Sequence, residues 1–583
     1  MRGITWLGVG LLGLAASAHA QPSAAPDMPG KLVIRPRPIT SVTALPVVPD
    51  MPGKLVIRPK GWPVPGGGTP SAVGPLASVL VGAPPAATPP AATPVDNPED
   101  GRIRLETWDV VFLRGMKAGH FHVVVRDYQR DGKPLVYATK MSRLTVARFG
   151  QPADLWGEEA TMETPAGEVL TTRFTQGLGR NQELTLEGTV TGKSLAVQIK
   201  GALNDSVTVP FPEGVVGVAG EAGLFAAKKP KPGDTFEYKG YLPLINQVVT
   251  YTAAAKNEED LAVYEGQKPR RVLRIAMSAA PVLKYKHPPA TVWVDAVTFE
   301  PVRLDTNVPS LGGKVTVLRT TKEYATRPAA QIPELNEVQS IVLDRAVPNV
   351  HQLDRLQLRM TLGDDLKPAD AVAQDARQTL TNIDPTANAF DLTLTARRAP
   401  VAVPANTPAD PGAEFMGASF FIDWRNDATK RNAQAAVAGL PAGATAWQKA
   451  QAVERWVHTN MKAAEFSQAM ATCSKVSTDL SGDCTEYAML GAGMCRAVGV
   501  PSRTALGLVY AAGRDGKPTL AYHMWFEVYA DGQWLALDGT LGRGSVGAGH
   551  IKITDTSWHE EQSFAPLLPV LSVLGATPKV SVR

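Results

Sequence analysis

Tyr522-His523-Met524-Trp525-Phe526-Glu527-Val528-Tyr529-Ala530-Asp531-Gly532-Gln533-Trp534-Leu535-Ala536-Leu537-Asp538 reads as two alternating runs about an Asp-Gly pair. Such a dipeptide between alternating runs is a strong hairpin signal, usually a type I′ turn in which both central residues take positive φ. With Asp531 and Gly532 in the loop, Ala530 faces Gln533, Val528 faces Leu535, Phe526 faces Leu537 and Trp525 faces Asp538. Met524, Phe526, Val528, Leu535 and Leu537 then share one apolar face. The other face carries His523, Trp525, Glu527, Tyr529, Trp534, Ala536 and Asp538. His523 and Asp538 become diagonal neighbours, about 7 to 8 Å apart at the backbone, within reach of an imidazole–carboxylate hydrogen bond. A slip of one residue would send one strand's side chains to the wrong face, so the register is strongly specified.

Thirty-nine residues before His523 stands Cys484, in Ser481-Gly482-Asp483-Cys484-Thr485-Glu486-Tyr487-Ala488-Met489-Leu490. This is a loop turning into good helix formers, and Gly499 and Pro501 provide the stop. The pattern predicts a helix at about 483–498 with Asp483 as its cap and Cys484 in its first turn. Unpaired N–H groups and the positive end of the macrodipole favour a thiolate there. A thiol of pKa about 8.5 falls to about 3.5 to 7.5 beside a helix N-terminus and an imidazolium. Ala488, Gly491, Ala492 and Gly493 trade helix propensity for close packing, since each Gly costs about 1 kcal/mol against Ala.

Chemistry assigns the roles. Cys484 is the candidate nucleophile, His523 the proton carrier, and Asp538 the carboxylate that fixes the imidazole tautomer. Acid–base help of this kind is typically worth about 10² to 10⁴ in rate. The Cys484 backbone N–H is a natural first oxyanion donor, and the sequence identifies no second. Glu527 is the alternative orienting carboxylate, but it falls opposite Ala536, further down the hairpin.

Gly482-Asp483-Cys484, Cys495-Arg496-Ala497-Val498-Gly499-Val500-Pro501-Ser502-Arg503, His523-Met524-Trp525-Phe526-Glu527-Val528 and Trp534-Leu535-Ala536-Leu537-Asp538 together resemble the core of the transglutaminase-like superfamily in its bacterial secreted branch. The likeness extends upstream through a helix with Thr445 and Gln448 as a capping box and apolar Ala446, Ala450, Val453 and Val457. Downstream it reaches His550-Ile551-Lys552-Ile553. It implies an α+β fold with a papain-like core, in which a nucleophile helix packs on an antiparallel sheet, and a catalytic set of Cys484, His523 and Asp538. Two features depart from the family. Gly539 stands where proline usually follows the aspartate, and no upstream aromatic matches the oxyanion donor of eukaryotic relatives, Phe466 having nothing to donate.

The chain's beginning indicates its compartment. Met1 and Arg2, the apolar run Ile4 to Ala18 and Ala18-His19-Ala20 read as a signal peptide at 1–20 cleaved near Ala20, hence a secreted or periplasmic protein without stable membrane insertion. Residues 21–100 hold 19 of the 48 prolines and read as a disordered linker. Within it Asp27-Met28-Pro29-Gly30-Lys31-Leu32-Val33-Ile34-Arg35-Pro36 recurs at Asp50 to Pro59. Residues 101–326 read as an antiparallel β domain, with alternating stretches such as Phe121 to Val125, Arg271 to Met277 and Lys314 to Thr321. Residues 327–420 continue as a β-rich lead-in, and 421–583 form the expected catalytic domain.

The chain has three cysteines, Cys473, Cys484 and Cys495, so at least one is free. Cys484 and Cys495 stand about 16 Å apart on one helix and cannot bridge. Cys473 and Cys495 either pair or remain buried lone thiols, the latter slightly favoured. Gly542-Arg543-Gly544-Ser545-Val546-Gly547 fits G-x-G-x-x-G but leads toward a strand, where a nucleotide site needs a helix, so it reads as a loop at the rim of the active site. Nine histidines without ligand spacing indicate no metal site, and no cofactor is implied. A net charge of +4 over 583 residues is too mild and too dispersed to imply nucleic acid, and none is expected as a partner. The expected activity is cleavage or transfer of an acyl group at a protein or peptide amide, with a cell-envelope component as a further partner. Hydrolysis ranks ahead of cross-linking because transfer needs water kept from the acyl-enzyme. The alternative from another class is a non-catalytic envelope scaffold.

Overall fold

The computed structural model describes residues 97–583, apart from 149–150, 180–181, 202–203, 265–267, 283–284, 309–312, 335–339, 364–365, 465–469, 513–515 and 560–562. The signal peptide, nearly all of the Pro-rich segment with its duplicated stretch, and Phe466 lie outside the described residues.

Among the described residues, Arg102 to Thr320 build one sheet of fifteen strands. Eight strands, from Arg102–Leu113 to Asp205–Pro210, each pair with the next in sequence. A short parallel step joins Val215–Val216 to Thr235–Leu242, and a second meander returns through Gln247–Leu261 to Gly313–Thr320. The ladder is continuous because this last strand zips antiparallel onto the first, with Trp108 opposite Thr320 and Leu113 opposite Val315. Strands such as Ser194–Lys200 alternate buried and open positions, as a sheet with one covered face requires. The helix Val218–Lys228 lies against this sheet, and its N-terminal Ala219 and Gly220 N–H groups donate to the buried Glu163 carboxylate.

Two smaller sheets lock the C-terminal half together. In one, Gln378–Asp384, Ala389–Thr395 and Arg355–Thr361 are followed in space by the chain's final strand, Lys579–Val582. In the other, His550–Thr556, Ser502–Ala512 and Pro518–Ala530 lie side by side, with Ser340–Val342 and Gln533–Leu537 sharing the outer edge of Pro518–Ala530. Residues before and after position 420 are therefore joined by backbone ladders.

The Asp531-Gly532 hairpin has the register read from the sequence: Ala530 opposite Gln533, Val528 opposite Leu535 and Phe526 opposite Leu537. Asp531 and Gly532 have φ of 50° and 75°, as a I′ turn demands. The helix Cys484–Ala497 packs its buried side chains on this sheet. Gly491 shows why a small residue is needed, since a Cβ there would stand 2.5 Å from the Phe526 ring. The helix ends before Gly499, at φ 79°. Arg496 ties its last turn to the carbonyls of Ser502, Ser557 and Gly417. The helix Ala446–Asn460 begins with the Thr445–Gln448 capping box. No helix among the described residues is long and apolar enough to cross a membrane.

Candidate active site

The mouth of the Cys484 helix is held by two acidic residues. Asp483, in extended conformation, accepts from the Thr485 N–H at 3.1 Å and hydroxyl at 2.8 Å. Glu486 reaches back to the Asp483 N–H at 2.9 Å and across to the Ala471 N–H at 3.0 Å, which completes a capping box. Gly482 makes room for that return, because a Cβ there would lie 2.4 Å from the Glu486 Cβ. Burial, reinforced by the neighbouring Asp483 charge, pushes the Glu486 carboxyl well above its ordinary range.

Two short strands share the outer edge of the His523 strand. Ser340–Val342 pairs with residues 519–521 and Gln533–Leu537 with 526–530. In the interval between them Met524 donates its N–H to Cys484 Sγ at 3.1 Å. This backbone donor, invisible to side-chain reasoning, places the sulfur against the residue that follows His523 and stabilises negative charge on it.

His523 Nε2 lies 2.8 Å from Asp538 Oδ2. A carboxylate only accepts, so Nε2 carries the hydrogen. Asp538 is itself fixed: its Oδ1 accepts from the Thr540 N–H at 2.9 Å and hydroxyl at 2.6 Å. Its Oδ2 accepts a second imidazole, His550 Nε2, at 2.9 Å. Burial alone would raise the Asp538 pKa, but the His523 charge and the hydrogen bonds from His523 and His550 outweigh it and hold the carboxyl well below its ordinary value. Cys484 is 0 %, His523 1 % and Asp538 2 % exposed. The sulfur is closed off from solvent in this arrangement.

Of the residues singled out from the sequence, Cys484 stands against the Met524 N–H, next along the strand from His523, and Asp538 holds the His523 imidazole. Glu527, the alternative carboxylate, is committed elsewhere. It takes Arg503 at 2.7 Å and Lys552 at 3.2 Å, and although burial opposes it, these cations keep its pKa below the ordinary value. The sequence places His550 only within the downstream likeness, because the loop 539–549 separates it from Asp538 in the chain while the sheet brings the two together. Donor atoms of His523, Asp538 and His550 lie within 4.8 Å of one another, a convergence that histidine spacing did not reveal. In the hydrogen-bonded arrangement both Nε2 atoms donate to Asp538 Oδ2.

Residues 539–549 contain Gly542 to Gly547 and form neither helix nor strand. His458 Nδ1 contacts the Gly539 carbonyl at 3.0 Å, and Glu454 accepts the Gly544 N–H at 2.9 Å. Burial pushes the Glu454 carboxyl up to about 7. All three cysteines are free and buried. Burial pushes the Cys473 thiol up to about 12 and the Cys495 thiol up as well, which leaves both inert near neutrality.

Comparison with curated protein sequences gives no match. Among solved structures, a protein from Cytophaga hutchinsonii described as a candidate cysteine protease is 14% identical, with 41% of this chain and 82% of that one covered at a TM-score of 0.25. The periplasmic domain of TgpA from Pseudomonas aeruginosa, bound to ethylmercury, is 16% identical over 35% of this chain and 89% of its own, at a TM-score of 0.23. A beta-barrel-like protein of a domain of unknown function from Brucella abortus is 8% identical over 37% and 95%, at a TM-score of 0.28. Scores this low add no weight; the family rests on sequence. The transglutaminase-like superfamily model matches residues 433–539, a span containing Cys484, His523 and Asp538. This chain therefore carries, at residues 433–539, a domain of the transglutaminase-like superfamily.

Proposed function

We propose that this chain is an exported thiol enzyme with a papain-like core that cleaves a protein or peptide amide through a thioester on Cys484. The carrying observation is the sulfur at the edge of the His523 strand, with that imidazole hydrogen-bonded to the buried Asp538. In the first half-reaction the Cys484 proton passes to His523 and sulfur bonds the carbonyl carbon. The C–N bond then breaks as the imidazolium protonates the leaving amine. In the second, water attacks the thioester, gives its proton to His523 and releases the acid, and the proton returns to sulfur. The Cys484 N–H at the helix mouth is the first oxyanion donor.

Hydrolysis is the favoured outcome, with water as the acceptor present at highest concentration. Complete burial of Cys484, His523 and Asp538 supports a second reading, transfer to an amine, because a closed site protects the thioester from water. Export rests on Met1 to Ala20, and a cell-envelope component is the partner this compartment offers.

The test compares wild type with Cys484→Ala for dansylated-amine incorporation and for amide hydrolysis across a set of peptides. Wild type is expected to show one activity, and the variant neither. Equal behaviour of the two proteins returns the chain to a non-catalytic scaffold.

A further inference from the structure

We propose that His550 is a positioning residue: by donating its Nε2–H to the oxygen that receives His523, it holds Asp538 in place and limits how strongly Asp538 retains the His523 proton. This deepens the thiol chemistry proposed above and takes its functional meaning from that reading.

The sheet delivers His550 to this spot. His550 opens the strand His550–Thr556 and pairs with Val509, while Gly507, two residues earlier on the same middle strand, pairs with His523. Cross-strand partners project from one face, so His523, Gly507, Val509 and His550 share it. Gly507 lets the strand that carries His550 lie close, since a Cβ there would stand 1.9 Å from the Ile551 carbonyl oxygen. The two imidazole ring centroids are 5.5 Å apart, and both Nε2 atoms converge on Asp538 Oδ2, at 2.8 and 2.9 Å.

His550 is suited to donate permanently. It is 0 % exposed, and burial pushes its pKa down to about 3, so it stays neutral with its hydrogen on Nε2. Its Nδ1 has no hydrogen-bond partner among the described residues, and the His351 ring stands edge-on at 5.7 Å. A buried acceptor left unmatched is a cost, and an apolar residue would fill the space without it. The imidazole keeps its place because the donated hydrogen is needed. The groups that bear on His523 are Cys484 from the helix, Asp538 and His550, with His351 from the Val350–Gln352 turn. Behind them, Arg543 bears on His351 and Glu454 is coupled to Asp538.

The sign follows from the shared oxygen. Losing one donor makes Asp538 a stronger acceptor toward His523, and the imidazolium is then harder to deprotonate. The experiment is an NMR titration of His523 in the full chain carrying Cys484→Ala, comparing His550 with His550→Leu and His550→Gln, with thermal melts as the fold control. His550→Phe replaces the leucine variant if that chain fails to fold. The apolar variant is expected to raise the His523 midpoint by about one pH unit. Glutamine, whose amide N–H lies near the position of Nε2, is expected to restore it to within a few tenths of a unit. An unchanged midpoint in the apolar variant overturns the proposal, as does an equal shift in the glutamine variant, which would mark a packing role alone. Because this reads proton affinity in an inactive background, the shift stands or falls independently of whether amide cleavage is found.

Discussion

Asp538 and Glu454 are buried carboxyls within one site that burial and neighbours drive in opposite directions. Asp538 has two imidazoles and a threonine and is held ionised. Its depressed folded-state pKa contributes stability that is present above the unfolded value near 4 and is lost as pH falls through the folded value. Asp538→Asn is therefore expected to lower stability at pH 7 by about 1 to 3 kcal/mol. Urea unfolding should show the gap from wild type closing as pH drops below 4. Glu454 accepts the Gly544 N–H, and its Oε2 has no partner among the described residues. Its raised pKa has the opposite consequence: the folded state binds the extra proton between about 4.5 and about 7, so stability is full below that window and lost as pH rises through it. Glu454→Gln is expected to melt at a higher temperature than wild type above pH 7 and alike at pH 4.5. A scan showing a uniform offset at all pH values would refute this.

Among elements, the Cys484 helix is shaped by what it must touch. Gly491→Ala improves intrinsic helix propensity by about 1 kcal/mol but sets a methyl 2.5 Å from the Phe526 ring. Overpacking of this kind costs about 1 to 3 kcal/mol, so the variant is expected to unfold at lower denaturant than wild type. Because Phe526 sits two residues beyond Met524, the displaced ring also disturbs the strand edge that holds the sulfur. Amide-cleaving activity is expected to fall further than the loss of folded protein explains, as an assay at matched folded fraction would show. Asp483→Ala removes the cap from the same helix and is expected to cost about 0.5 to 2 kcal/mol.

For the whole molecule, the telling feature is how late residues complete early sheets. Lys579–Val582 pairs with Arg355–Thr361, and the Arg583 N–H donates to the Gln357 carbonyl at 2.9 Å. Deleting 579–583 bares a strand edge whose Leu358 and Met360 are fully buried. The shortened chain is expected to melt at a lower temperature and to associate through that edge, read by calorimetry and by size-exclusion chromatography. Ser340–Val342 plays the corresponding part on the His523 strand. The edge of the His523 strand is therefore completed by residues far upstream of the matched segment 433–539.

Much of the site is legible in the residues alone because its information is local. The Asp531-Gly532 turn fixes the hairpin register through two positive φ angles, and register decides that His523 and Asp538 share a face. Asp483 and Gly499 bracket the helix by capping chemistry, which places Cys484 in the first turn. The remainder depended on contacts between distant segments. The Met524 N–H that meets Cys484 is a backbone group with no sequence signature. His550 reaches Asp538 from the far side of the middle strand, and Glu527 is claimed by Lys552 and Arg503 from two other strands. Side-chain periodicity sets which face a residue occupies, whereas the partner it finds there is chosen by how strands far apart in the chain are laid side by side.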